Sequence, residues 1–119
     1  MLAYKNLDGW IQSRGLVKLV YEITKTFPKE EIFGLTSQMR RAAISIPLNI
    51  AEGCGRAQKK DIIHFMHISR GSLNELETAL YLSLDLGYLS EDVLNQFLNK
   101  CLDCKKLLNG FIKFIERSY

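Results

Sequence analysis

The sequence contains few of the residues that define several classes of protein. Its three cysteines are an odd number, which disfavours a disulfide framework and favours a reducing compartment. Only two prolines and eight glycines are spread among many leucines and isoleucines, so a disordered chain is not expected. There is no run of about 18 apolar residues, and the N-terminus has neither a basic start nor an apolar core. We therefore expect neither a transmembrane helix nor a signal peptide, and a cytoplasmic protein with no membrane partner.

The remaining composition is that of one globular domain. The chain has 119 residues, of which 47% are hydrophobic and 24% are charged, which is enough to form a core without covalent staples. Apolar residues recur at helical spacing along nearly the whole chain, and no segment alternates as a half-buried strand does. We predict an all-α fold, an antiparallel up-and-down four-helix bundle formed by residues 1–119 as a single domain.

The first helix is predicted from about Asn6 to Thr26. It ends there because Phe27 precedes Pro28, and a residue before proline avoids the helical conformation. Its predicted inner stripe is Leu7, Trp10, Ile11, Val17, Val20, Tyr21 and Thr24.

The second helix is predicted to open at Pro28, where a missing N–H has no cost. Ile32 is placed on its inner face. Pro47 lies inside the apolar pattern and predicts a kink in this helix rather than its end. The Gly53-Cys54-Gly55 segment is the predicted break.

The third helix is predicted from Ala57 or Gln58 to Leu86, with Gly87 at its C-terminal cap. Ser90 is the predicted N-cap of the fourth helix. The loops are short throughout, so successive helices are expected to be antiparallel neighbours.

The positive charges are concentrated in two segments. The net charge of +3 is too small to indicate nucleic-acid binding by itself, but residues 40–60 and 100–117 are basic while residues 62–92 are acidic. The basic residues that we select as candidate phosphate contacts are Arg40, Arg41, Arg56, Lys59, Lys60, Lys100, Lys105, Lys106 and Lys113. No aromatic residues interleave them, so binding to RNA or DNA would be directed at the backbone and sensitive to salt. The alternative is a solvated face with intrahelical or intersubunit salt bridges.

The outward faces of the second and third helices predict an oligomer interface. Gly71 lies in the middle of a predicted helix, where glycine costs up to about 1 kcal/mol relative to alanine, and a close approach of another backbone would explain it. The residues that share these faces are Ser37, Arg41, Ile44, Leu48, His64, His67, Gly71 and Leu82. The alternative is a set of scattered surface hydrophobic residues.

No set of residues in the sequence forms a convincing catalytic or metal site. Cys101-x-x-Cys104 and His64-x-x-His67 contain the ligands of a zinc site, but the two pairs are expected on opposite faces of their helices. Asp61-x-x-His64 is half of a di-iron motif that lacks its second half. We therefore expect a protein that is not an enzyme and that holds neither metal nor cofactor.

Three segments of the chain carry longer motifs. They are FPKEE at residues 27–31, LTSQMRRAAISIPLNIAEG at residues 35–53 and GSLNELET at residues 71–78, together with Gly55-Arg56 and the start Tyr4-Lys5-Asn6-Leu7. With these motifs the chain resembles the bacterial 23S rRNA intervening-sequence protein family. The resemblance implies a four-helix bundle assembled as a homopentamer. A related group, the accessory variability proteins of diversity-generating retroelements, is basic, binds nucleic acid and partners a reverse transcriptase, which leaves a protein partner open here.

The family motif falls on Gln38, Arg40, Arg41, Ser45, Pro47, Asn49, Glu52, Gly53 and Arg56. The resemblance implies that Pro47 forms the kink, that Gly53 forms the turn, and that Asn49 and Glu52 make local hydrogen bonds beside it. The arginines are either phosphate contacts or intersubunit ion-pair donors, since the guanidinium suits both. The leading hypothesis is an oligomeric bundle that binds RNA or DNA, and the alternative is a protein–protein scaffold that binds no nucleic acid.

Overall fold

Four α-helices form the framework of the molecule. The computed structural model describes residues 2–118, and in that range it contains helices and turns but no strand. The helices are α1 (Asp8–Thr24), α2 (Leu35–Cys54), α3 (Lys59–Asp85) and α4 (Glu91–Ser118). Two short 3-10 turns, Tyr4–Asn6 and Lys29–Glu31, precede α1 and α2. The all-α, four-helix prediction is confirmed, and no helix within residues 2–118 has an apolar stretch long enough to cross a membrane.

The helices pack in a square. Helix α1 packs on α2 and α4, and α3 packs on the same two helices, while among residues 2–118 the backbones of the diagonal pairs stay further apart. The long dimension of the molecule is 46 Å, close to the roughly 42 Å expected for a helix of 28 residues. The helices therefore lie along this axis, and the short connections between them fit successive helices that run in opposite directions.

The core runs along the centre of the bundle. Its largest fully buried side chains are Leu16, Met39, Ile46, Ile50, Ile62, Met66, Leu73, Leu76, Leu80, Leu108, Ile115 and Val20. The predicted inner position of Ile11 is wrong, because α1 buries Ser13 and Leu16 instead. Two residues correspond to a rotation of about 200°, so Ile11 lies opposite Ser13. The Ser13 hydroxyl donates to the carbonyl of Trp10, which satisfies this polar group inside the core.

The start of α2 differs from the prediction. Pro28 does not open the helix. It precedes a 3-10 turn and three further turn residues, and α2 begins at Leu35. Ile32 consequently lies in the turn and is exposed. The carboxylate of Glu31 closes this segment, since it accepts hydrogen bonds from the Leu35 amide (3.1 Å) and the Tyr88 hydroxyl (2.7 Å). One side chain therefore connects the start of α2 to the α3–α4 turn.

Glu31→Gln is expected to destabilise the protein at neutral pH and to have less effect in acid. The hydrogen bonds from Tyr88 and Leu35 favour the ionised carboxylate and lower the pKa of Glu31. A lowered folded-state pKa contributes stability above the ordinary glutamate pKa, and this contribution is lost as the pH falls through the folded value. Urea unfolding of both proteins at pH 7 and near pH 3 measures the difference. A difference that is the same at both pH values would contradict this role.

The end of α3 and the start of α4 agree with the predictions. Gly87 has a φ of 78° and follows the last turn of α3. The Tyr88 amide donates to the Ser83 carbonyl (2.8 Å) and the Gly87 amide to the Leu84 carbonyl (2.9 Å), which is the Schellman pattern. The Ser90 hydroxyl accepts from the Val93 amide at 3.2 Å, so Ser90 caps α4 as expected.

Gly53 does not form the turn between α2 and α3. It is buried inside α2, which continues to Cys54, and Gly55 follows as the C-cap with an ordinary right-handed conformation. A Cβ atom on Gly53 would lie 2.5 Å from Met66 Cε, 2.9 Å from Phe65 Cβ and 3.2 Å from the Ile62 carbonyl oxygen. The glycine is therefore required because α2 and α3 approach each other closely at this point.

Polar side chains join α2 and α3 around Pro47, which lies inside the continuous helix α2. The Ser69 hydroxyl donates to the Ile46 carbonyl, and the Ser72 hydroxyl donates to the Ser45 hydroxyl oxygen, both at 2.8 Å. Asn49 donates to the carbonyl and hydroxyl oxygens of Ser45. Asn49 thus makes the local hydrogen bonds implied by the resemblance, although its partner is Ser45. The network keeps these hydroxyls satisfied where the two helices meet.

Candidate nucleic-acid interface

The charged residues are distributed unequally between the two ends of the bundle. One end of the bundle contains the starts of α1 and α3 and the ends of α2 and α4. There the Leu2 amide donates to the Cys54 carbonyl, and one cavity is lined by Trp10, Ile50 and Phe111. The basic residues there, which we call the basic end, are Lys5, Arg56, Lys59, Lys60, Lys113 and Arg117, and the acidic ones are Asp8, Glu52, Asp61 and Glu116. The opposite end carries Glu22, Glu30, Glu31, Asp85, Glu91 and Asp92 with Lys18, Lys25, Lys29 and Lys100. The charge asymmetry therefore follows the long axis and not the predicted segments, since the basic segment 40–60 extends along α2 from one end to the other.

The nine predicted phosphate contacts do not form one cluster. Arg41 and Arg56 are 15 residues apart along the chain, which is about 22 Å at the helical rise. Arg40 makes contacts within the chain through its guanidinium. Its Nε donates to the Thr24 hydroxyl at 3.0 Å, and its guanidinium carbon lies 4.5 Å from the centre of the Tyr21 ring. Arg40 therefore joins α2 to α1, whereas its neighbour Arg41 is exposed.

Arg40→Lys is expected to destabilise the fold by about 1 kcal/mol and to leave nucleic-acid binding unchanged. Lysine retains the charge but cannot reproduce the planar guanidinium that both donates to Thr24 and lies over Tyr21. Urea unfolding measures the first effect and fluorescence anisotropy with labelled RNA the second. A drop in affinity with unchanged stability would assign Arg40 to the ligand instead.

The lysines of α4 also divide into different environments. The Lys105 ammonium lies 3.0 Å from the Glu77 carboxylate, and both side chains are half-buried, so this pair connects α3 to α4. Lys106 and Lys113 are exposed and one heptad apart on one face. Lys100 lies on another face, beside Glu22 of α1 in a shallow cavity. These four lysines therefore do not lie on one face of α4.

The α2–α3 turn brings together the basic residues best placed for a phosphate. The Arg56 guanidinium carbon lies 4.8 Å from the centre of the Phe65 ring, and its Nη2 is 3.5 Å from the Glu52 carboxylate. Lys59 and Lys60 occupy the first turn of α3, and Lys60 is exposed. Cations at this position add to the positive end of the helix dipole, and the N-cap residue makes no side-chain hydrogen bond to the first turn. Two lysines and the N-terminus of α3 therefore follow Arg56 within four residues of the chain, and Asp61 adds one carboxylate to the same turn.

A family model described as 23S rRNA-intervening sequence protein matches residues 5–110. The chain belongs to this family. A crystal structure with a similar fold is that of a Bacteroides thetaiotaomicron VPI-5482 protein of unknown function from the S23 ribosomal protein family. The TM-score is 0.80 at 23% sequence identity, and the match covers 88% of this chain and 95% of the other, so the likeness shows the fold alone. No curated protein matches the chain.

The predicted oligomer face of this intervening-sequence family protein lies on the surface. Ser37 and Ile44 are half-buried, and the exposed members are Arg41, Leu48, His64, His67, Gly71 and Leu82. A groove runs between the outer sides of the two helices, with a volume of about 560 Å³. We call it the α2–α3 groove, and its lining is Leu35, Gln38, Gly71, Asn74, Glu75, Thr78, Ala79 and Leu82. Only Gly71 and Leu82 of the predicted face line this groove.

The cysteines of this chain are buried, whereas its histidines are exposed. All three are free thiols in the core. Burial raises the pKa of Cys101 to about 12 and the pKa values of Cys54 and Cys104 to about 11. The thiols are therefore protonated and unreactive at neutral pH. Within residues 2–118, no three His, Cys, Asp or Glu side chains are grouped as metal ligands.

One strongly exposed apolar residue of this chain, Phe33, is not among the predicted site residues. Phe33, in the turn before α2, has 94% of its side chain exposed, against 63% for Leu48 and 48% for Leu82. The pattern of the second helix predicts an inner position for the neighbouring Ile32 and none for Phe33. The available signal was the break after Phe27-Pro28, since a turn there moves the next apolar residues out of the helical register.

Proposed function

We propose that this protein is a non-enzymatic, oligomeric bundle that binds RNA or DNA through the phosphate backbone with its basic end. The observation that carries the proposal is the α2–α3 turn, where Arg56, Lys59 and Lys60 lie around the N-terminus of α3. Phosphate oxygens accept hydrogen bonds from backbone amides at a helix N-terminus and from lysine and arginine side chains.

Repetition of this turn in an oligomer supports the proposal energetically. Three cations contacting three phosphates give a salt dependence of only about −2.7 in log affinity against log salt, which is characteristic of weak binding. Several copies in one assembly engage one polyanion at the same time, and the effective concentration of the second contact then raises the affinity without any new type of contact. A homopentamer, as the family resemblance implies, would present five such turns.

The family membership is consistent with a polynucleotide ligand but does not specify one. RNA and duplex DNA both present closely spaced phosphates, and the side chains at the α2–α3 turn are suited to the charge rather than to the bases. We therefore expect similar affinities for structured RNA and duplex DNA of equal length.

The alternative function is a protein–protein scaffold with no nucleic-acid ligand. It is favoured by the intramolecular contacts of Arg40 and Lys105 and by the fully exposed Phe33. Exposed apolar side chains of this kind are typical of protein interfaces.

Anisotropy titrations of labelled structured RNA and of duplex DNA at low salt distinguish the two functions. The protein is first characterised by size-exclusion chromatography with light scattering so that its assembly state is defined. Dissociation constants at or below about 1 µM that rise steeply with salt support nucleic-acid binding. Absence of binding at low salt by the assembled protein rejects it and leaves the scaffold.

A further inference from the structure

Two side chains of the same chain restrain the guanidinium of Arg56. Its central carbon lies 4.8 Å from the centre of the Phe65 ring, and its Nη2 lies 3.5 Å from the Glu52 carboxylate. Despite both contacts, 44% of the Arg56 side chain is exposed. The guanidinium is therefore held in one region of the surface and is still accessible to a ligand from outside.

The position of Phe65 follows from the close packing of α2 and α3. Phe65 is half-buried in the second turn of α3. A Cβ atom on Gly53 would lie 2.9 Å from Phe65 Cβ, so the glycine allows Phe65 to lie directly against the last turn of α2. The Arg56 amide donates to the Gly53 carbonyl at 3.0 Å, which directs the turn back towards the same point. Backbone packing thus brings Arg56 and Phe65 together.

The two partners of Arg56 differ in how a phosphate would affect them. Glu52 and Arg56 form an exposed ion pair between residues four apart, and pairs of this kind contribute little to stability. A phosphate offers a guanidinium the same negative charge and the same hydrogen-bond acceptors as a carboxylate does. The Phe65 ring offers an aromatic face, which a phosphate does not have. A phosphate therefore competes with Glu52 but not with Phe65.

We propose that a backbone phosphate of the nucleic acid replaces Glu52 as the partner of Arg56 while the guanidinium stays on the Phe65 ring. The inference rests on the proposed function and deepens it at the same turn. Phe65 is a positioning residue, since an arginine that is already restrained loses less conformational freedom on binding than a free one. Glu52 is an intramolecular competitor that lowers the affinity of the site.

A double-mutant cycle of Phe65→Leu and Arg56→Gln tests the positioning role. Leucine keeps an apolar side chain at this half-buried position but has no aromatic face. Phe65→Leu is expected to weaken RNA binding about two- to fivefold for each engaged copy of the turn. In the Arg56→Gln background it is expected to leave the affinity unchanged, and Phe65→Tyr, which keeps the ring, is expected to restore the affinity. Equal losses in both backgrounds would show that Phe65 acts through the fold and would overturn the inference.

Phe111→Leu is the matched control for Phe65→Leu. Phe111 is also a half-buried phenylalanine near the basic end, but its ring neighbour is Phe114, with 6.2 Å between the ring centres. Urea unfolding is expected to show a similar loss of stability for the two variants, and anisotropy with labelled RNA a loss of affinity for Phe65→Leu alone. Equal losses of affinity would contradict a specific role of Phe65.

Glu52→Gln tests the exchange of partners. It is expected to strengthen RNA binding about twofold for each engaged copy of the turn, because the phosphate no longer competes with a carboxylate. Glu116→Gln is its control, since Glu116 is an exposed glutamate at the same end and the substitution changes the net charge by the same amount. A smaller gain is expected for this control. Equal gains would reduce the effect of Glu52 to net charge and overturn the exchange.

The wild type and Arg56→Gln separate this inference from the proposed function. Absence of RNA binding by the assembled wild type at low salt rejects both. Wild-type binding that Arg56→Gln leaves unchanged overturns the inference alone, because Lys59 and Lys60 still carry the proposed function.

Discussion

Gly53→Ala is expected to lower the free energy of unfolding by about 2 kcal/mol, within the range typical of overpacked cores. The added methyl group would lie 2.5 Å from Met66 Cε and 2.9 Å from Phe65 Cβ. Met66 can move its flexible end, but Phe65 Cβ and the Ile62 carbonyl belong to the main body of α3. The two helices must therefore separate, which also strains the hydrogen bonds from Ser69 and Ser72 to α2.

Gly15→Ala is the matched control for this substitution. Gly15 lies in the middle of α1, and a Cβ atom there would meet nothing within 4 Å. Alanine has the higher helix propensity, so this variant is expected to gain about 0.5–1 kcal/mol. Urea unfolding of both variants measures the pair. Equal effects would mean that the glycine at position 53 acts through helix propensity and not through the approach of α2 to α3.

The double charge reversal Lys59→Glu with Lys60→Glu is expected to weaken nucleic-acid binding at least tenfold, or about 1.4 kcal/mol or more. It removes two cations from each copy of the α2–α3 turn and places two carboxylates beside the phosphates. Acidic residues are favourable in the first turn of a helix, so the fold of α3 is expected to be retained or improved.

The control for charge is Lys25→Glu with Lys29→Glu. It changes the net charge by the same amount at the opposite, acidic end of the molecule, where both lysines are exposed. Anisotropy titrations with the same RNA are expected to show a much smaller loss for this variant. Equal losses would show that net charge controls binding, and the basic end would then not be the site.

The fold is predictable from the sequence because its helical periodicity is strong and uninterrupted. The errors occur where local turn chemistry decides. Pro28 fits the first position of a helix equally well as the start of a 3-10 turn. Glu31 closes that turn partly through Tyr88, which lies 57 residues after Glu31 in the chain. The apolar Ile11 fits the helical spacing, yet it is exposed, and the polar Ser13 is buried with its hydroxyl bonded to its own helix.

The site is less predictable, because a charged residue does not reveal its partner in the sequence. Arg40 and Arg41 are adjacent and identical in type, but one contacts Thr24 and Tyr21 while the other is exposed. Lys105 is paired with Glu77 across two helices. Gly53 and Gly71 likewise have opposite surroundings, crowded at one and open at the other, and no pattern in the sequence separates them.

The most direct test of the account is the salt dependence of RNA binding by the wild type and by the Lys59→Glu, Lys60→Glu variant. If both lysines contact phosphates, the slope of log affinity against log salt is expected to fall in magnitude by about 1.8 for each engaged copy of the turn. The Lys25→Glu, Lys29→Glu variant is expected to keep the wild-type slope. Identical slopes for all three proteins would contradict phosphate binding by the basic end.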